Sequence, residues 1–156
     1  MKKHRTTVYL IISLIVTLFA SADSGHLFTS DKLSSSLINC ICQDKYGYIW
    51  VGTDYGLSRF DGYRFTNYHH ASEDTTSLVD NTVQDLFVDS KGNLWIGGSK
   101  GFMRYDYGND NFVRYNFVDS AGITPRIYSI IENHQGEILV GTAGYGLHYV
   151  KPGTNE

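Results

Sequence analysis

Cysteine is nearly missing from this 156-residue sequence, in which Cys40 and Cys42 are the whole complement. They stand two apart on a predicted strand, so both side chains share a face, and a disulfide at that spacing would strain the backbone. The pair reads as two small buried hydrophobes. No Cys or His stands at ligand spacing from them, so no metal site is expected. Catalytic signatures are missing as well: there is no Gly-x-Ser-x-Gly, phosphate-binding loop or His-Glu-x-x-His. A basic excess is absent, with 13 Lys and Arg against 16 Asp and Glu and a formal net charge of −3. Such a chain has no electrostatic reason to seek nucleic acid.

Long apolar runs are equally scarce. The one present, Val8 to Ala20, follows Lys2, Lys3 and Arg5 and precedes the small-residue site Ala20, Ser21, Ala22. It is shorter than the ~20 residues a spanning helix needs. Residues 1–22 therefore read as a helical signal peptide cleaved after Ala22, with an uncleaved anchor as the alternative. Because no Cys follows the site, a lipoprotein is not expected. Losing the three basic side chains of this segment takes the formal charge from −3 to −6. The expected location is the periplasm, with no membrane contact after cleavage.

What the sequence does have is repetition. Asp44, Gly47, Ile49, Trp50, Val51, Gly52, Gly56 and Leu57 return 45 residues later as Asp89, Gly92, Leu94, Trp95, Ile96, Gly97, Gly101 and Phe102. A third copy follows with Asn133, Gly136, Ile138, Leu139, Val140 and Gly141. A period of this length signals an array of like supersecondary units. Nothing has helical spacing, and short apolar runs alternate with Gly turns, so each unit reads as an antiparallel sheet.

Strand one carries Ile38 and Ile41, Val83 and Leu86, or Ile127 and Ile130. An Asp-x-x-Gly turn follows, the acid caging backbone N–H groups and the Gly accepting positive φ. Strand two, from Tyr48 to Thr53 and its echoes, is apolar at consecutive positions, as in a sheet packed on both faces. Strand three covers Leu57 to Phe60, Phe102 to Tyr105 and Leu147 to Val150, and strand four Phe65 to Tyr68 and Phe112 to Tyr115. Leu33 precedes Ile38 by five residues as Leu78 precedes Val83, so the approach to strand one belongs to the repeat.

The expected fold is all-β: about three four-stranded antiparallel blades of an incomplete β-propeller. The organisation is a signal peptide (1–22), an N-terminal strand and linker (23–36), and repeats at 37–80, 81–126 and 127–156, the last incomplete. His26 to Thr29 reads as a closing strand. Three repeats also fit a β-trefoil, which is the alternative fold.

Together, the Leu-x-x-Asn-x-Val approach, Asp-x-x-Gly, Trp-[Val/Ile]-Gly and Gly-Leu resemble the regulator-propeller repeat of hybrid two-component sensors, over nearly all of residues 26–150. The resemblance implies a periplasmic propeller that senses ligands, commonly products of polysaccharide breakdown, joined in such proteins to a histidine kinase, a phosphate receiver and a DNA-binding module. No kinase, receiver or helix-turn-helix pattern occurs here, so the chain is expected to be a non-enzymatic N-terminal fragment. Its expected partners are the remaining blades of a full-length sensor, an oligosaccharide, and other copies through exposed blade faces. A secreted lectin and a propeller lyase are the competing functions.

Candidate site residues follow from blade geometry. The loop joining strands two and three shares a rim with the approach to strand one, which places Asp54, Tyr55, Asn81, Ser99, Lys100, Arg126 and Tyr145 on one surface. Aromatic faces with hydrogen-bonding groups suit a sugar. Asp44, Asp89, Asp61 and Asp106 read as turn caps, Trp50 and Trp95 as core, and His69 and His70 as solvated loop residues. No catalytic residue and no cofactor is expected.

Overall fold

The computed structural model describes residues 32–115 and 123–151. The expected signal peptide, its cleavage site and the closing strand His26 to Thr29 lie outside these residues.

Three antiparallel sheets follow one another along the chain. The first holds β1 (Ile38–Gln43), β2 (Ile49–Thr53), β3 (Gly56–Phe60) and β4 (Phe65–Tyr68) in sequence order. The second repeats it with β5 (Val83–Val88), β6 (Leu94–Gly98), β7 (Gly101–Asp106) and β8 (Asn111–Tyr115). The third holds β9 (Ile127–Glu132), β10 (Ile138–Thr142) and β11 (Leu147–Val150). Helix is absent among the described residues. Each sheet is a meander of its own unit, and the cores lie between successive sheets. The trefoil alternative, which needs one shared core, is therefore displaced.

Strand one contains a feature the sequence signalled without explaining. Its apolar pairs are three residues apart, a spacing that a regular strand would send to opposite faces. In all three units the register slips after the first residue, so that Asn39, Gln84 and Tyr128 are bulged out of the ladder. The bulge brings Val83 and Leu86, and likewise Ile127 and Ile130, onto one buried face. Their equivalents in the first unit, Ile38 and Ile41, are 54% and 66% exposed. That face is the one each later sheet turns toward its predecessor.

Two cores result. Trp50 and Leu57 of the first sheet pack with Leu78, Val83, Leu86, Leu94, Ile96 and Met103. On the other side of the second sheet, Trp95 and Phe102 pack with Ile127, Ile130, Ile138, Val140 and Val150. Consecutive residues of β6 thus enter different cores, as expected for a sheet sandwiched between neighbours. Cys40 and Cys42 share a face and are free, as expected, but they are half-buried rather than buried, lying at the margin of the first core. Burial pushes both thiols up to about 12, with Asp85 and Asp44 respectively adding to it.

The glycine of Trp-[Val/Ile]-Gly sets the spacing between sheets. A Cβ on Gly52 would collide with Cys40 Sγ and stand 2.6 Å from Val83 Cγ1; one on Gly97 would stand 2.6 Å from Ile127 Cγ2. The first residue of the next unit's strand one occupies the space that a side chain would take.

Candidate functional site

Each strand-two-to-three loop is tied to the approach segment of its own unit by one backbone hydrogen bond. Asp54 N–H donates to Leu37 O at 3.2 Å, Ser99 N–H to Thr82 O at 3.2 Å, and Ala143 N–H to Arg126 O at 2.9 Å. The three bonds are repeat equivalents, and they build the rim that the sequence anticipates. Neighbouring units are also stitched there: Gly56 N–H donates to Asn81 O at 2.6 Å, and Thr82 Oγ1 donates to Asp54 O at 3.4 Å.

The structure brings Asp54, Asn81, Ser99 and Lys100 into one patch, and it does so through two residues that sequence reading missed, Asp80 and Thr82. Asp80 accepts from Ser99 Oγ and from Thr82 N–H, and its other oxygen lies 3.4 Å from Lys100 Nζ. Burial opposes the charge on Asp80, but these three donors outweigh it and hold the carboxyl below the usual range. Asp80 and Ser99 are separated by 19 residues, and no spacing rule pairs them.

Asn81 is largely committed to the fold, since its Oδ1 accepts His70 N–H at 2.7 Å. His70 in turn has Nδ1 2.7 Å from Leu78 O, so this histidine pins the long loop. Tyr55 is 60% exposed, its ring centroid 5.5 Å from that of His69. Arg126 and Tyr145 belong to the third unit's rim, and both are exposed. There the loop is one residue longer, because Gly141 pairs with Leu147 whereas Gly52 pairs with Leu57. The rim therefore offers the Asp80–Lys100 ion pair, the Ser99 hydroxyl, the exposed Arg126 guanidinium and two tyrosine rings. Such groups can bind and orient a polyhydroxylated ligand.

At the other ends of the strands, Asp44 and Asp89 are turn caps as read, with a further role. Asp44 Oδ1 accepts from the N–H groups of Tyr46 and Tyr48, while Oδ2 accepts Trp50 Nε1–H at 2.7 Å. Asp89 makes the equivalent bonds to Lys91, Asn93 and Trp95, the last at 2.8 Å. In the third unit Leu139 replaces the tryptophan and Asn133 the acid. A nearly buried carboxylate is thus present where an indole N–H satisfies it, and is replaced by an amide where none exists. Asp61 and Asp106 also cap turns, through Tyr63, Arg64 and Gly108 N–H groups.

Residues 32–55 and 77–100 match the family model for the two component regulator propeller, in agreement with the resemblance carried by the repeats. Each match runs from an approach segment through the loop that carries the rim. Histidine kinase P4 of Formosa agariphila is 38% identical over 73 residues, 44% of this chain and 5% of that protein. The extracellular domain of BT3049 from B. thetaiotaomicron, described as a hybrid two component system, superimposes with a TM-score of 0.74 and 26% identity, covering 83% of this chain and 19% of that one. The extracellular domain of BT4673 from the same organism, described likewise, gives 0.67 and 27%, covering 80% and 18%. The chain spans less than a fifth of each of these relatives. In fold and repeat it is a stretch of propeller similar to the extracellular domains of hybrid two component systems.

Proposed function

We propose that this chain forms part of the ligand-sensing propeller of a hybrid two-component sensor, carried to the periplasm by residues 1–22, and that its ligand is an oligosaccharide released from a complex polysaccharide. The observation that carries this reading is the rim repeated in every unit by the same loop-to-approach hydrogen bond. Repetition makes the rim a platform on which the units differ: Asp54 and Tyr55 in the first, Ser99 and Lys100 in the second, Arg126 and Tyr145 in the third. Loops on a rigid scaffold are where propellers vary without disturbing their cores. Phosphoryl transfer and DNA binding would belong to the rest of a full-length sensor, with further blades as this chain's structural partners.

Calorimetric titration of the full chain with neutral and acidic oligosaccharides, of two to six units, tests the reading. Saturable binding that falls at least tenfold in Tyr55→Ala and Lys100→Ala is expected. Heat-silent titrations across the whole panel would remove the sugar assignment.

A further inference from the structure

The repeats serve as an internal control. Where a position has the same residue in each unit, the fold explains it; where one unit departs, another explanation is needed. One such departure lies on the rim opposite the candidate site, between the first two sheets. There Tyr46, Tyr48, Arg59, Tyr105, Tyr107 and Asp110 line a cleft of about 460 Å³. That volume lies within the range of small-ligand pockets. The register shows how far this is from a repeat requirement. Tyr46 is replaced by Lys91 and Gln135 in the later turns, and Tyr48 by Asn93 and Glu137. On the facing sheet, Tyr105 is replaced by Val150 in the third unit. The cleft between the second and third sheets thus has no counterpart of this tyrosine cluster.

The floor of the cleft is polar and fixed in place. The Arg59 guanidinium lies 5.0 Å from the Tyr48 ring centroid and 5.6 Å from those of Trp50 and Tyr68. Its Nη1 donates to Tyr105 Oη at 2.6 Å and to Asp110 Oδ1 at 3.1 Å. Tyr68 and Tyr105 hydroxyls donate to that same Oδ1. Burial disfavours the Asp110 carboxylate, but the two phenols and Arg59 hold it below its usual range, so it is ionised at neutral pH. Four hydrogen bonds made through one carboxylate oxygen and one guanidinium nitrogen leave Asp110 Oδ2 and Arg59 Nη2 without a protein partner among the described residues. Asp110 also has φ 53°, the sole positive φ at a non-glycine among the described residues. A strained backbone of this kind persists where the surroundings over-determine it.

The walls are aromatic. Tyr46 is 59% exposed, and its ring centroid is 4.9 Å from that of Tyr107, whose hydroxyl is anchored on Asp44 at 2.9 Å. Beyond Asp110 a second cavity of about 430 Å³ continues along Asn67, Thr76, Ser77, Asn109 and Asn111.

We propose that this cleft is a second ligand site, which lays one ring of a neutral oligosaccharide against Tyr46 and Tyr107 and holds its hydroxyls on Asp110 Oδ2 and Arg59 Nη2. A sugar ring has an apolar C–H face for the tyrosines, and adjacent hydroxyls that can donate to a carboxylate and accept from a guanidinium at once. Lining charges of opposite sign favour a neutral ring. The amide- and hydroxyl-lined cavity past Asp110 would receive the next unit of the chain. This inference rests on the sugar reading of the protein while placing contacts on the rim opposite the one proposed above.

Saturation-transfer NMR on the full chain, with cellobiose, xylobiose and laminaribiose as probes, separates the two. The expected result, read in a Tyr55→Ala background so that the opposite rim does not contribute, is transfer to sugar C–H protons with at least one probe, reduced fivefold or more when Tyr46→Ala or Asp110→Asn is added. Tyr46 is exposed, and asparagine tolerates positive φ, so both variants keep the fold, which matching amide dispersion would verify. Transfer abolished by Tyr55→Ala and retained in Tyr46→Ala overturns the cleft and leaves sugar sensing intact. No transfer from any probe to the unmodified chain overturns the cleft, and heat-silent titrations in addition would overturn the sugar reading.

Discussion

At the scale of single residues, the most informative pair is the carboxylate of Asp44 and the indole of Trp50. Each satisfies a buried polar group of the other at 2.7 Å, and the third unit lacks both partners together. Losing Asp44 leaves the buried indole N–H unsatisfied, and losing Trp50 leaves Asp44 Oδ2 with the Tyr107 hydroxyl alone. Trp50→Phe should therefore destabilise the chain by about 2–4 kcal/mol, from the lost charge-assisted bond and the change in packing. Asp44→Asn should cost less in a Trp50→Leu background than alone. Urea denaturation of the four members of that double-mutant cycle measures the coupling, expected at about 1–2 kcal/mol. The sequence announced Asp44 as a turn cap and Trp50 as core, because turn chemistry and apolar neighbours are local. It did not announce the bond between them, which depends on the direction of one side chain.

At the scale of the element, two features of the repeat concern its neighbours more than itself. The strand-one bulge aims two apolar residues at the preceding sheet, and the strand-two glycine receives the first residue of the following one. This gives an asymmetric prediction. Gly97→Ala would push a methyl against Ile127 Cβ and Cγ2, part of a close-packed core, and should cost about 1–3 kcal/mol. Gly141→Ala meets chiefly Ser129 Oγ, an exposed rotor that can turn away, and should cost under about 0.5 kcal/mol. Thermal unfolding of the two variants beside the parent checks the order; equal losses would mean that the glycine serves the backbone alone. Strand positions were legible almost to the residue, since Gly turns and apolar runs bracket them. The bulge was present only as an unexplained three-residue spacing.

At the scale of the whole molecule, the array leaves two faces unlike any surface inside it. Ile38 and Ile41 are exposed on the first sheet, where their equivalents in the second and third, Val83 and Leu86, Ile127 and Ile130, are buried. Ile131, Leu147 and Tyr149 are exposed on the third. One face is of the kind that receives a preceding blade and the other of the kind that receives a following one, so two copies of the 156-residue chain should associate head to tail. Analytical ultracentrifugation is expected to show concentration-dependent growth in mass that Ile41→Lys suppresses. A monomer at 100 µM with both faces bare would contradict this.

Taken alone, the sequence determined the all-β class, the positions of the strands, the turn caps and the resemblance to regulator propellers. Each of these is written in local chemistry, in periodicity, or in motifs that return at a fixed spacing. The tertiary structure alone decided which residues of different units meet: Gly56 with Asn81, Asp110 with Arg59 and Tyr68, Gly97 with Ile127. Those contacts arise from stacking one sheet on the next, and the distance between their partners along the chain obeys no rule that a single sequence reveals.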